Sequence, residues 1–194
     1  MQNRTPRIPE QPTPNPVDAD AGLTVELASV VTGARRRALR DGDRQIDTAH
    51  LLHSLIESDP EVREAFDGGP QLAKVLGYLV QRSIGYGLRW QGSVEDSGAV
   101  PVVRDPAADV VRSPAADVVR DPAAEGWSPS AVTAMEDALH RAGLRGEPRA
   151  RGLDLLAALA ADGECRAVEV LGRAGVDARW LSGRAVERTA EVSR

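Results

Sequence analysis

His50 and His53 stand three residues apart, a spacing that brings both imidazoles to one side of a helix and within reach of one metal ion. No Cys, Asp or Glu joins them at a recognisable ligand spacing, so no metal site is expected. His50 is instead expected to bond backbone across the repeat, with His53 exposed to solvent. Cys165 lies at a predicted helix start, where a thiolate could be favoured, but the position suits a small buried residue, and His140 offers it no sequence-defined partner. Glu136 and Asp137 are adjacent and do not share a helix face. Ser29, Ser54 and Ser83 lack the sharp glycine-flanked turn of a nucleophilic serine. Catalytic residues, cofactors and metals are therefore all expected to be none. Trp127 precedes a helix, where an aromatic ring can staple the core or anchor a partner peptide.

The chain that must position these groups has 194 residues, room for one domain with tails. Its apolar residues are mostly Ala, Leu and Val, with one Phe, two Tyr and three Trp, a palette for close-packed helices rather than a broad sheet. The net charge of −5 argues against a nucleic-acid binder. Lys74 is the only lysine among 24 basic residues, a bias expected of a GC-rich coding sequence. One cysteine excludes an internal disulfide. No apolar run reaches a membrane span and no signal-peptide core opens the chain. A cytoplasmic protein without membrane attachment is expected.

Residues 1–22 hold five prolines and no periodicity, the composition of a disordered tail. Thr24 caps a helix to about Asp41, with Leu27, Val31, Ala34 and Ala38 inward. Asp47 or Thr48 opens a second, with Ala49, Leu51, Leu52, Leu55 and Ile56 buried. Asp59-Pro60 starts a third. A fourth runs from Gln71 to about Ile84 on Leu72, Val75, Leu76, Leu79 and Val80. From Gly85 the pattern stops, and VVRDPAAD, VVRSPAAD and VVRDPAAE follow in tandem over 102–125. Their prolines exclude a continuous helix or a central strand, and the expected origin is tandem duplication in a tolerant loop. Ser128-Pro129 then opens a second helical block. Its stripes are Val132, Met135, Leu139 and Ala142; after a loop from Gly143 to Gly152, Leu155, Leu156 and Leu159; then Ala167, Val168 and Leu171. Asp177 caps a last helix burying Trp180, Leu181 and Val186.

The two blocks superimpose at a shift of 104 residues: Thr24 on Ser128, Ala34 and Ala38 on Ala138 and Ala142, Gly42 on Gly146, Ile46 on Ala150, and Leu51-Leu52 on Leu155-Leu156. The shared plan is an apolar residue, Ser/Thr, AxxxA, Gly and a Leu-Leu helix. Ile46-Asp47-Thr48-Ala49-His50-Leu51-Leu52 and Gly163-Glu164, Ala167, Val170-Leu171, Gly175-Val176-Asp177 resemble the Clp repeat, the N-terminal domain of Clp unfoldases of the ClpA/ClpC type. The resemblance spans about 125 of the 194 residues.

The resemblance implies an all-α pseudo-two-fold duplication of a four-helix motif, about eight helices. Its expected layout is a Pro-rich tail over 1–22 and a Clp N-terminal-like domain over 23–190, made of repeat one (23–86), an insert (87–126) and repeat two (127–190). It implies a non-enzymatic protein- or peptide-binding module whose partners are Clp-system ATPases, adaptors or substrates. No GxxxxGK[ST] loop is present, so a stand-alone N-domain, acting as a decoy or sequestering regulator, is expected. A hydrolase or other enzyme associated with Clp proteolysis is the alternative. A DNA-associated regulator is a third reading, disfavoured by the charge. The implied peptide- or adaptor-binding residues are Leu23, Thr24, Thr48, His50, Trp127 and Ser128. Some ClpC relatives bind phosphorylated arginine through a glutamate, but Ala49 and Leu153 stand at the matching positions. Guanidinium recognition uses a forked carboxylate partner, which neither provides.

Overall fold

Thr24 and Ser128 perform the same task 104 residues apart. The Thr24 hydroxyl accepts the Leu27 amide at 3.3 Å and the Ser128 hydroxyl accepts the Ala131 amide at 3.1 Å, each capping a helix start. The computed structural model describes residues 22–83, 95 and 126–192. The expected tail and the octapeptide insert lie outside them, apart from Gly22, Glu95 and the insert's last residue. Among the described residues the structure is helical, with α1 (Val25–Asp41), α2 (Thr48–Ser58), α3 (Pro60–Ala65), α4 (Gly69–Ser83), α5 (Pro129–Leu144), α6 (Gly152–Ala161), α7 (Arg166–Arg173) and α8 (Ala178–Val192).

The repetition extends to the helix ends. After α1, Gly42 takes a left-handed φ of 74° and the Asp43 amide reaches back to the Ala38 carbonyl at 2.9 Å. After α5, Gly146 takes 75° and the Glu147 amide reaches the Ala142 carbonyl at 3.0 Å. Glycine suits both positions because a Cβ disfavours that conformation.

The two halves interlock rather than merely abut. Leu23 forms a parallel bridge with Ala150, and Trp127 forms its two-fold mate with Ile46. In the first, the Thr24 amide meets the Ala150 carbonyl at 3.0 Å and the Ala150 amide meets the Gly22 carbonyl at 2.8 Å. In the second, the Ser128 amide meets the Ile46 carbonyl at 2.9 Å and the Ile46 amide meets the Gly126 carbonyl at 2.6 Å. Each repeat's entry segment thus pairs with the segment before the other's second helix. The third helices cross over as well: α3 packs on α6 and α8, and α7 packs on α2 and α4.

This exchange encloses α2 and α6. Every residue from Thr48 to Ile56 and from Gly152 to Ala160 is buried. Fully enclosed Leu51, Leu52, Leu55, Leu155, Leu156 and Leu159 each contribute about 1.5–3 kcal/mol of apolar burial.

Several expected boundaries and faces shift. On α5 the buried line is Ala131, Ala134, Ala138 and Ala142, while Leu139 is partly exposed. Methyl side chains let α5 approach α6 closely, and the larger residues fall to the flank. Val80 on α4, and Trp180 and Val186 on α8, are also exposed, with only Leu181 and Ala185 of the last helix's apolar residues in the core. Trp180 lies instead under Arg184, whose guanidinium carbon is 5.1 Å from the ring centre. α4 begins at Gly69, because Pro70 fits a first turn. The loop after α5 is shorter than expected, since Gly143 and Leu144 remain helical and Gly152 opens α6.

Candidate functional site

The entry segments, the loops before α2 and α6, and the starts of α3 and α7 meet in two pseudo-equivalent junctions. At the first, Asp47 caps α2 by accepting the His50 amide at 2.9 Å, while its own amide donates to His50 Nδ1 at 3.1 Å. This reciprocal capping box fixes the imidazole, whose Nε2 lies 3.2 Å from Asp43 Oδ2. Asp47 Oδ2 accepts Arg166 Nη1 at 2.6 Å and also Arg82 Nη2, which reaches Asp43 at 3.1 Å. Burial alone would raise the Asp47 pKa, but the His50 hydrogen bond, Arg82 and Arg166 outweigh it and hold the carboxyl well below the usual range.

Asp43, Asp47 and His50 bring one ligand atom each within 4.8 Å of one another. Arg82 and Arg166 already hold those carboxylate oxygens, so a divalent cation would meet two guanidinium charges. The cluster reads as an ion-pair network that ties α4 and α7 to the start of α2. At the second repeat the charges are reversed. Asp154 takes His50's place, accepting the Arg151 amide at 2.9 Å and a forked pair from Arg145 at 2.6 and 2.8 Å. These bonds, chiefly the one to Asp154, raise the Arg145 pKa.

The junctions also each hold a carboxylate. Glu95 sits in the first, against Thr48, Ser128 and Arg166. Asp59 sits in the second, accepting the Glu61 and Val62 amides at 2.9 and 3.3 Å. Gly152 stands where the first junction has Thr48. A Cβ there would overlap the Asp59 carboxylate and lie 3.2 Å from Leu55 Cδ1.

Of the residues expected to bind a partner, Thr48 and Ser128 are brought together on Glu95, and His50 adjoins them through Asp47. Leu23 lies on the opposite bridge. Leu23, Thr48, His50 and Ser128 are buried, whereas Thr24, next to the first bridge, and Trp127, in the second, are partly exposed. Trp127 packs against the core through its bridge to Ile46. Both Ala49 and Leu153 are buried.

His53 corrects the expectation of a solvent-facing ring. It is buried, with Nδ1 3.4 Å from Arg37 Nη1 and Nε2 3.2 Å from Glu57. Burial and Arg37 push its pKa down to about 4. It takes no part in the Asp43–Asp47–His50 cluster. Cys165 is buried as expected, and burial pushes its thiol up to about 11.

Glu95, Arg82 and Arg166 were not singled out by the sequence, and Asp59 only as a helix start. Glu95 lies in a stretch without periodicity and gives no signal. Arg166 does give one, as a charged residue at the start of an otherwise apolar helix face.

No protein-family model matches the chain, and no curated protein matches it. Among solved structures it is similar to the N-terminal domain of the caseinolytic protease associated chaperone ClpD from Arabidopsis thaliana, with 18% identity and a TM-score of 0.55 over 87% of this chain and 95% of that one. It is also similar to a chain from preliminary structural investigations of a malarial protein secretion system, with 15% identity and a TM-score of 0.53 over 89% of this chain and 99% of that one. No described helix is long and apolar enough to cross a membrane. The two-repeat architecture of the described residues, with its eight helices, is the Clp N-terminal-domain fold.

Proposed function

We propose that this chain is a non-catalytic polypeptide-binding module that engages substrates, adaptors or an ATPase of a Clp proteolytic system. The observation that carries the reading is the fold shared with the ClpD N-terminal domain over 87% of the chain. The interlocked bridges add a physical reason. They hold Thr24 and Trp127 at partly exposed positions in the two entry segments, where an apolar peptide can meet a rigid aromatic edge at low entropic cost. Ala49 and Leu153 leave both repeats without the carboxylate that would fork a guanidinium, so the ligand is an unmodified polypeptide rather than phosphoarginine. Where it shares ligands with a motor-attached N-terminal domain it competes for them, and so acts as a decoy.

A pull-down with the tagged chain, using a ClpC-type ATPase and its adaptors as prey, tests this. Enrichment of at least one over a tag-only control is expected. Enrichment of none refutes the assignment. Inactivity of the purified chain toward casein and ATP is expected alongside it.

A further inference from the structure

The C-terminal half of α1 carries a charged surface that packing does not use. Arg35, Arg36, Arg40 and, just past the helix end, Arg44 are exposed, and Leu39 among them is 75% exposed. Residues three and four apart are neighbours on a helix, which sets Leu39 beside Arg35 and Arg36, and Arg36 beside Arg40. No Asp or Glu stands three or four positions from Arg35 or Arg36. Among the described residues, Arg35, Arg36 and Arg44 form no ion pair, and Arg40 pairs with its neighbour Asp41 at 3.4 Å. Arg37 differs, because it turns toward α2, donating to the Ser54 hydroxyl at 3.3 Å and pairing with Glu57. Asp43, the next carboxylate along the chain, is held by Arg82 at 3.1 Å.

Helix physics does not ask for this arrangement. The attraction of a cation to the negative end of a helix fades beyond the last turn, which holds Arg40 but not Arg35 or Arg36. Arg36 and Arg40, like charges at i and i+4, repel each other. The repeat does not ask for it either, since a shift of 104 places Leu139, His140, Gly143 and Leu144 at the matching positions of α5. Guanidinium groups without a carboxylate partner are ready to fork one, and Leu39 sets an apolar contact among them. The chain as a whole carries −5, and screening confines the field of the patch to about 8 Å at physiological ionic strength. A short acidic segment therefore meets the patch alone, whereas a long polyanion or a lipid surface also meets the acidic remainder of the molecule.

We propose that the outer face of α1 from Arg35 to Arg44 docks an acidic polypeptide segment that carries an apolar side chain between its carboxylates. Arg35, Arg36 and Arg40 take the carboxylates, and Leu39 takes the apolar side chain. The surface is separate from the entry segments, because Leu39 lies about 22 Å along α1 from Thr24. The inference rests on the charge and exposure of this face and stands whether or not the partner belongs to a Clp system.

The test uses the full chain as wild type, Arg36→Glu and Leu39→Ser. Both positions are exposed, and Arg36→Glu also relieves the repulsion from Arg40, so circular dichroism should show both variants folded; should one fail, the other decides alone. The probe is a short acetylated and amidated peptide of glutamates interspersed with leucines. Its control has glutamine for every glutamate, and the amide resonances of residues 35–44 are the readout. Saturable shifts are expected with the glutamate peptide only. Their apparent affinity should weaken about ten-fold or more in Arg36→Glu and fall as salt is raised, and weaken about three-fold or more in Leu39→Ser. No shift, an equal response to the glutamine peptide, or an affinity unchanged in either folded variant overturns the proposal. A response confined to duplex DNA or to phosphatidylserine vesicles, run alongside, overturns it too, by making the face a polyanion or membrane contact. Failure here leaves the polypeptide contact at the entry segments standing, because that contact is read at Thr24 and Trp127.

Discussion

Replacing Asp47 with Asn removes one charge from the first junction and little else. The amide still accepts the His50 N–H and caps α2. What disappears is the anion facing Arg82 and Arg166, whose side chains are about nine-tenths buried, as is Asp47 itself. Breaking a buried ion pair from one side costs about 3–5 kcal/mol. The retained hydrogen-bonding capacity brings Asp47→Asn to roughly 2–4 kcal/mol, with Asp47→Ala losing about 1 kcal/mol more for the cap. Urea unfolding followed by circular dichroism measures this as a lower midpoint at unchanged slope. A double-mutant cycle with Arg166→Met isolates the pair and is expected to give a coupling of at least about 1 kcal/mol. The sign of the pH effect follows from the depressed Asp47 pKa. Its contribution is fully present above the ordinary carboxylate range and is lost as pH falls through and below about 4, so Asp47→Asn flattens the acid limb. A cost below about 1 kcal/mol for Asp47→Asn would refute the network, because it would mean that water already screens these charges.

Gly152→Ala drives a methyl group into the Asp59 carboxylate and against Leu55, and is expected to cost about 1–3 kcal/mol. Gly163→Ala, with open space around it, serves as the neutral control in the same urea series. His53, with its pKa near 4, remains neutral in the fold while the unfolded chain takes up a proton. Stability therefore falls as pH drops from about 6.5 to about 4, by roughly 1–2 kcal/mol once screening by the half-exposed Glu57 is allowed for. Melting curves of His53→Gln across that range should be flatter than wild type, and parallel curves would contradict the assignment. The native Cys165 thiol, raised to about 11, should react with a disulfide reagent at pH 8 only as fast as denaturant opens the fold; rapid native labelling would show it is not buried.

The fold was legible because its strongest signals are local and doubled. Ser/Thr caps, the left-handed glycines and the Leu-Leu helices recur at one offset, and a coincidence at several positions is hard to obtain otherwise. Helix faces were less legible on α5, where the packing line is four alanines. Alanine contributes little to an apolar stripe, so the larger Leu139 dominates the reading while the methyl groups make the contact. His53 was misplaced for a different reason. A face argument presumes that one side of a helix meets water, and α2 is buried around its circumference. The junction chemistry was the least legible, since the donors on Glu95 come from three helix starts in both repeats, and only the tertiary exchange brings them together.

The polypeptide-binding claim is tested most directly by mapping amide shifts of the full chain during titration with an unmodified unfolded polypeptide and, separately, its phosphoarginine-bearing form. The account predicts saturable shifts at Thr24 and Trp127 and at Ala150 and Ile46, which hydrogen-bond the two entry segments, with no gain from phosphoarginine. Unperturbed junction amides in the folded chain would contradict the binding role. A gain confined to the phosphoarginine form would contradict the reading of Ala49 and Leu153.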